Sequence, residues 1–347
     1  MNPLAADLDN VLSRTVGLWE ELRGGRLFLT GGTGFFGCWL LESFLWASKK
    51  LCLNAETVVL TRNPEAFACK APHLAFHKAV KLHTGNLDDF TLPEGSFTHV
   101  IHAAGDLSKG NSDDAAGLLA RSFCGLQRVL ELARQSGAAK VLCTSSGAVY
   151  GPAVPGRWKL REDDPPSGIP LESRGAYAEA KRMAELLGTL SAQQHGFEFK
   201  IARGFAFLGP YLPLDAHLAA GNFIRDALAG SPIMVRGSGT AVRSYMYPAD
   251  LAVGLWKVLF RGAHGRPYNL GSDQPVTIAE LAHAVARECD PPPPVSVLEQ
   301  ARPEEVVDYY VPDITRARTE LGLDLSLGLA EAIRCTLAWH QRITKAT

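Results

Sequence analysis

Tyr177 and Lys181, in the run Gly-Ala-Tyr-Ala-Glu-Ala-Lys, stand four residues apart and so share one face of any helix that holds them. An ammonium beside a phenol favours the phenolate and draws the tyrosine pKa from its usual ~10 towards neutrality. Such a phenol can give or take the proton of a carbinol oxygen during hydride transfer. A Tyr-x-x-x-Lys pair alone is common and usually marks a surface helix. Here a third group stands upstream, where Lys140–Thr144 reads as a strand opening into Ser145-Ser146-Gly147-Ala148-Val149-Tyr150-Gly151. A hydroxyl at the carboxyl end of that strand, Ser145 or Ser146, can hydrogen-bond the same substrate oxygen.

A second set of residues suits phosphate. Leu27-Phe28-Leu29-Thr30 runs into Gly31-Gly32-Thr33-Gly34-Phe35-Phe36-Gly37, and an apolar helix follows. In that order Gly31 permits the tight turn, Gly34 lets the backbone approach a pyrophosphate, and Gly37 lets the helix pack on the strand. Gly31, Thr33, Gly34, Phe35, Phe36 and Gly37 are therefore the expected dinucleotide contacts. After the second strand comes Thr61-Arg62-Asn63, where an NAD-binding turn usually carries an acid for the ribose 2′-hydroxyl. No acid follows until Glu65. Arg62 can instead pair with a 2′-phosphate and cover the adenine, with Thr61 and Asn63 donating hydrogen bonds. NADP(H) is the favoured cofactor on this reading, and NAD(H) is the alternative.

Those side chains need strands that end at one edge of a sheet. Short β-rich runs at 26–30, 57–60, 80–83, 99–102, 140–144 and 200–203 alternate with helical patterns. Such alternation builds a mostly parallel sheet covered on both faces, with ligands beyond the carboxyl ends of the strands. Residues 4–22 carry apolar side chains at near-helical spacing, so an amphipathic helix is expected to precede the first strand. Past Gly204 the texture is less regular, with helical patterns at 222–230, 251–260, 278–287, 315–321 and 329–341. The expected fold is α/β: a Rossmann-type doubly wound parallel sheet with a smaller C-terminal α/β substrate-binding domain. Its expected parts are an N-terminal helical extension (1–24), a dinucleotide-binding domain (25–204) to which part of 240–275 returns, and a substrate-binding domain over most of 205–347.

Composition narrows the function classes. With 35 basic and 36 acidic residues the net charge is −1, which gives no broad basic field for nucleic acid. The apolar stretch from Leu27 to Leu41 is broken by four glycines. It also falls short of the ~18 apolar residues of a membrane span, so no membrane association is expected. MNPLAADLDNVLSRT has no basic segment followed by an apolar one, so no secretory signal is expected. The seven cysteines form no CxxC pair and no zinc spacing, the pattern of free thiols in a reducing cytoplasm with no metal centre.

With these motifs in this order, the sequence resembles the extended short-chain dehydrogenase/reductase (NAD-dependent epimerase/dehydratase) family, in its nucleotide-sugar branch. The resemblance runs from about Arg26 to Leu323. It rests on TGGTGFFG (30–37), GNLDD (85–89), HAAG (102–105), TSSGAVYG (144–151), YAEAK (177–181), RGFAFLGP (203–210), RSYMYPADLA (243–252), YNLGSD (268–273) and RPEEVVDYYVPDITRARTELG (302–322). It implies Tyr177 as acid/base, Lys181 on the nicotinamide ribose and Ser146 polarising the sugar oxygen. Asn86 and Leu87 would flank the adenine, and Ala103 and Ala104 would line the cofactor. Asn222, Arg243 and Arg302 match positions that grip the diphosphate or ribose of a sugar nucleotide. The implied partner is a nucleoside-diphosphate sugar, and the helices near 115–135 and 177–195 match the family's four-helix homodimer contact.

The resemblance also orders the reactions. Sugar-nucleotide 4,6-dehydratases of the family carry an acidic pair directly after the catalytic hydroxyl, and its decarboxylases keep a glutamate at the second position. Gly147 and Ala148 stand there and exchange no proton. Hydride transfer with one proton remains: ketone reduction, epimerisation or oxidation. With Arg62 and no ribose-binding acid, the expected reaction is NADPH-dependent reduction of a nucleoside-diphosphate-4-keto-6-deoxyhexose at C4. An NAD-dependent nucleotide-sugar 4-epimerase is the alternative, and a 4,6-dehydratase or a non-catalytic cofactor-binding protein ranks behind both. Two departures bear on binding: Asn86 replaces the aspartate usual beside the adenine, and Ala206 an asparagine often found near the diphosphate.

Overall fold

A computed structural model describes the chain except residues 1, 106–113, 170–171, 217, 301–306 and 347. The first helix, α1 (Ala5–Arg14), stops short of Gly17, whose φ is +77°, and Trp19–Leu22 forms a separate 3-10 turn. The single helix expected over 4–22 is thus split, because a left-handed residue cannot continue a right-handed helix. Leu4, Leu8 and Val11 are buried, each worth about 1.5–3 kcal/mol when fully withdrawn from water. Trp19 packs on Trp256 with ring centroids 4.6 Å apart, which fastens the segment to the body.

Strands and helices then alternate. The first half comprises β1 (Arg26–Thr30), α2 (Phe35–Leu51), β2 (Glu56–Thr61), α3 (Pro64–Lys70), α4 (Pro72–Ala75), β3 (Val80–Thr84) and β4 (His99–His102). It continues with α5 (Ala115–Ser136), β5 (Lys140–Ser146), α6 (Ala176–His195) and β6 (Glu198–Gly204). After these come α7 (Ala219–Leu228), β7 (Ile233–Val235), β8 (Val242–Arg243), α8 (Pro248–Arg261) and β9 (Pro267–Leu270). The chain closes with β10 (Val276–Thr277), α9 (Ile278–Arg287), β11 (Val295–Val297), β12 (Tyr309–Tyr310), α10 (Thr315–Leu321) and α11 (Leu329–Ala346).

Seven strands form the main sheet in the order β3-β2-β1-β4-β5-β6-β9, and every pairing in it is parallel. This is the Rossmann-type doubly wound arrangement, extended by β9 beside β6. Alternate residues of β1 enter opposite cores, Leu27 and Leu29 one and Phe28 the other, as the two-residue pleat requires. The strand order reverses between β1 and β4, so a crevice opens beyond their carboxyl ends. Smaller sheets, β10-β8-β12 and β11-β7, lie in the C-terminal part. Among the described residues no helix is long and apolar enough to cross a membrane, and all seven cysteines are free.

Candidate active site

The turn after β1 brings the first N–H groups of α2 to the sheet edge. Gly31 has φ +71°, and a Cβ there would lie 2.5 Å from the carbonyl carbon and oxygen of Ala103 and 2.6 Å from the nitrogen of Ala104. Glycine alone lets the turn rest against the backbone leaving β4. Helix and turn meet just as closely at Gly37, where a Cβ would come 2.2 Å from the Gly31 carbonyl oxygen. Gly34 is the N-cap of α2 and offers no side-chain cap, so the N–H groups of Phe35, Phe36 and Gly37 are free for an anion. Lys70, at the end of α3, donates to the Thr33 carbonyl at 2.8 Å and ties that helix to the turn. This cradle, which any side chain at Gly31 or Gly37 would fill, fits the pyrophosphate of a dinucleotide.

Arg62 follows β2 directly and is exposed. Asn63 has a further task, since its Oδ1 accepts from Ala66 N at 2.9 Å and caps α3. Leu87 packs where Gly125 of α5 leaves room, and Asn86 is exposed beside it.

Helix α6 delivers the expected pair. Lys181 Nζ donates to the Thr144 carbonyl at 2.8 Å and stands 5.7 Å from the centroid of the Tyr177 ring. Burial, with the Lys181 charge, pushes His102 down to about 3, so its imidazole is neutral. Its Nδ1 lies 2.9 Å from Thr30 Oγ1.

Strand β5 runs to Ser146, two residues further than expected, so Ser145 and Ser146 face opposite sides. Ser146 Oγ accepts from Ala148 N at 3.2 Å and lies 3.4 Å from the Tyr310 hydroxyl. Ser145, expected as a substrate contact, is spent elsewhere: its hydroxyl donates to Glu185 of α6. Arg203 of β6 clamps that carboxylate through Nε–Oε1 at 2.9 Å and Nη2–Oε2 at 2.7 Å. Glu185 is one helical turn past Lys181, so this ion pair, itself mostly buried, holds the Tyr177–Lys181 face of α6 in register with β5.

Tyr310 lies in the 302–322 motif, but nothing in the sequence assigned it to the site. It comes from β12, 164 positions after Ser146, and no spacing rule links the two. A Cβ on Gly147 would lie 2.7 Å from the Tyr310 hydroxyl and 2.8 Å from Cε1 and Cζ of Phe205. The side-chain space at position 147 is therefore taken by these two rings, whose centroids are 4.8 Å apart. Burial pushes the Tyr310 phenol above the usual tyrosine range and keeps it neutral.

A cavity of about 940 Å³ opens in the C-terminal part, bordered by Asn222, Arg225, Arg236, Thr240 and Asp308. Asn222, one of the three residues expected to grip a sugar nucleotide, lines it. Arg243 meets it through Asp308: its guanidinium pairs with the Asp308 carboxylate and donates to the Asp308 carbonyl at 2.9 Å. Arg302 lies outside the described residues. Arg225 and Arg236 are cavity cations the motifs did not mark.

The model of the NAD dependent epimerase/dehydratase family matches residues 27–271, the span that holds the glycine turn, Ser146, Tyr177 and Lys181. The chain belongs to this family. It is an enzyme of the extended short-chain dehydrogenase/reductase type, in the branch that modifies nucleotide sugars. UDP-glucuronic acid decarboxylase 6 of Arabidopsis thaliana is 28% identical over 313 residues, covering 89% of this chain and 86% of that relative. The UDP-glucose 4-epimerase of Thermotoga maritima, solved with UDP-glucose, superposes with a TM-score of 0.76 at 19% identity, covering 92% of this chain and 99% of the other. The Bordetella bronchiseptica enzyme WbmF, solved with NAD+ and UDP, does so with a TM-score of 0.76 at 20% identity, covering 94% and 95%. At such identities the two structures establish the shared fold.

Proposed function

We propose that this enzyme reduces the C4 ketone of a nucleoside-diphosphate-4-keto-6-deoxyhexose with NADPH. The observation that carries this reading is that Lys181, 5.7 Å from the centroid of the Tyr177 ring, donates to the Thr144 carbonyl of the strand that ends at Ser146, beside positions 147 and 148 that hold no acid. When bound, the dinucleotide supplies the hydride and is oxidised as the ketone becomes an alcohol. Tyr177 gives its phenolic proton to the carbonyl oxygen as the C=O π pair moves onto it. Ser146 donates a hydrogen bond to that oxygen while charge builds, and Lys181 supplies the compensating positive charge.

Decarboxylation, the reaction named for the Arabidopsis relative, is disfavoured because Ala148 stands where decarboxylases of this family keep a glutamate. In the cavity Arg225 is paired with Asp226, and Asp226, Glu299 and Asp308 share the wall; Arg236 is the guanidinium there that supports a nucleoside diphosphate, through charge-assisted contacts with phosphate. Exposed Arg62, with no acid after β2, supports NADP(H). The seven free thiols support a cytoplasmic enzyme. Phe123 of α5 and Leu186 and Leu190 of α6 are exposed apolar side chains on neighbouring helices and support a homodimer.

An NAD-dependent 4-epimerase is the second reading, favoured by the likeness to the Thermotoga epimerase and to NAD+-bound WbmF. Denaturing the purified protein and identifying any nucleotide it releases separates the two. Tightly held NAD overturns the reductase, whereas an exchangeable NADP site supports it. UDP-, dTDP-, GDP- and CDP-linked sugars, each offered with both nicotinamides, then identify the substrate. On that substrate Tyr177→Phe is expected to lower kcat about a hundredfold, and unchanged turnover refutes the role of Tyr177.

A further inference from the structure

A serine hydroxyl has one proton to give and two lone pairs to receive. Ser146 Oγ already accepts from Ala148 N at 3.2 Å, and a backbone N–H cannot reverse its role. The Tyr310 hydroxyl is 3.4 Å away, a separation at which either oxygen can be the donor. Among the described residues Ser146 Oγ is the hydrogen-bond partner recorded for that phenol. Burial against Phe205 keeps the phenol protonated, and a buried O–H left unshared costs more than one that is donated. Tyr310 is therefore the donor. Both lone pairs of Ser146 are then occupied, and its own proton must point to a third oxygen.

We propose that Tyr310 is a positioning residue whose phenol, by donating to Ser146, fixes Ser146 as the hydrogen-bond donor to the oxygen that Tyr177 protonates. This rests on the reading of Tyr177, Lys181 and Ser146 as the reacting set. The fold builds the contact from a distance. β12 runs parallel to β8 with Tyr310 opposite Arg243, whose guanidinium lies 5.7 Å from the Tyr310 ring centroid. On the other side Gly147 leaves the phenol its room, since a Cβ there would meet the hydroxyl at 2.7 Å. Gly147 thus does more than lack an acid: it admits the group that orients Ser146.

Steady-state kinetics on the substrate found above tests this with Tyr310→Phe, which keeps the ring packing, alone and combined with Ser146→Ala. Tyr310→Phe is expected to lower kcat about tenfold, the weight of one hydrogen bond, with KM for the sugar nucleotide and affinity for NADPH within about twofold. Ser146→Ala is expected to lower kcat on the order of a hundredfold, and the double variant to be no slower than Ser146→Ala alone. Losses that multiply in the double variant overturn the proposal, because Tyr310 then acts independently of Ser146. Wild-type kcat in Tyr310→Phe, alongside lost turnover in Tyr177→Phe, overturns it and leaves the reductase standing. Gly147→Ala displaces the hydroxyl without removing it and is expected to show a similar loss; wild-type kcat there also overturns the proposal. A wild-type enzyme inert on every sugar nucleotide with both nicotinamides overturns the reductase and the positioning role together.

Discussion

Gly37→Ala probes the turn after β1 as a dinucleotide cradle. The added Cβ would land 2.2 Å from the Gly31 carbonyl oxygen, 2.3 Å from Gly32 Cα and 2.4 Å from the Gly32 carbonyl carbon. All three are backbone atoms, so no side chain can swing aside. Non-bonded heavy atoms rest about 3.5 Å apart, so turn and helix must separate by about 1 Å. Alanine in an unobstructed helix would gain about 1 kcal/mol, and overpacking costs about 1–3 kcal/mol. The net destabilisation therefore stays below about 2 kcal/mol, a fall of a few degrees in Tm for a chain of this size. Binding loses more, because displacing a positioned group by about 1 Å is worth roughly a hundredfold. Gly37→Ala is expected to raise the Kd for NADPH about a hundredfold, measured by calorimetric titration, with the small Tm loss read by differential scanning fluorimetry. Gly168→Ala is the control, since a Cβ there meets nothing within 4 Å, and both quantities should match wild type. Wild-type affinity for NADPH and NADH in Gly37→Ala, at unchanged Tm, would refute the cradle.

Two further outcomes follow from side chains around that turn. Arg62→Ala is expected to weaken NADP(H) about tenfold, the weight of a hydrogen bond to a charged group, while leaving NAD(H) within about twofold; equal losses for both count against a 2′-phosphate contact. Glu42 and His73 form a pH-dependent pair with Nε2–Oε1 at 2.7 Å. Burial pushes Glu42 up, but hydrogen bonds from His73, Tyr211 and Asn2 outweigh it and leave the carboxyl below its ordinary value. His73 is raised by its bond to Glu42. The histidine's contribution is whole below about pH 6.5 and fades as pH climbs through its raised folded value. The carboxylate's contribution is whole above about pH 4.3 and fades as pH falls through its lowered folded value. The Tm gap between wild type and His73→Ala should therefore peak at about pH 4.5–6.5 and shrink above about pH 7. A gap that stays flat from about pH 5 to 9 argues against the pair.

Local features of the chain were legible where one element carries its own reason. Leu27–Thr30 followed by the glycine turn announced β1, its crevice and α2, because turn geometry and helix start are written in adjacent residues. Tyr177 and Lys181 were legible because helical spacing alone puts them on one face. Ser145 misled for a complementary reason. A strand two residues longer than its β-rich run turns every second side chain away, and the partner that claims Ser145, Glu185, sits forty positions later. The capping task of Asn63 was not legible because it depends on where α3 starts, which the sequence leaves open by a residue or two. Tyr310, Arg225 and Arg236 stayed hidden because tertiary packing, with no spacing rule, brings them to the site.

The reaction chemistry turns on that hidden part. A missing acid beside a catalytic hydroxyl has two physical meanings. The space can stand empty, awaiting a carboxylate from elsewhere, or it can be filled by a group with another task. At Gly147 it is filled, by the Tyr310 hydroxyl and the edge of Phe205 at 2.7 and 2.8 Å from where a Cβ would begin. An acid there would have to expel both rings before it could reach a substrate proton. The neutral phenol in its place can donate a hydrogen bond but, raised by burial, is a poor proton acceptor near neutrality. Elimination calls for an acid at this point, and decarboxylation for the glutamate that Ala148 replaces, whereas hydride transfer needs the carbonyl oxygen polarised and protonated. In the proposed reaction, Ser146, backed by Tyr310, and Tyr177, backed by Lys181, meet that second requirement without an acid. Asp308, on the cavity wall, is two residues from Tyr310, so the segment that borders the cavity proposed for the nucleotide also carries the phenol beside Ser146.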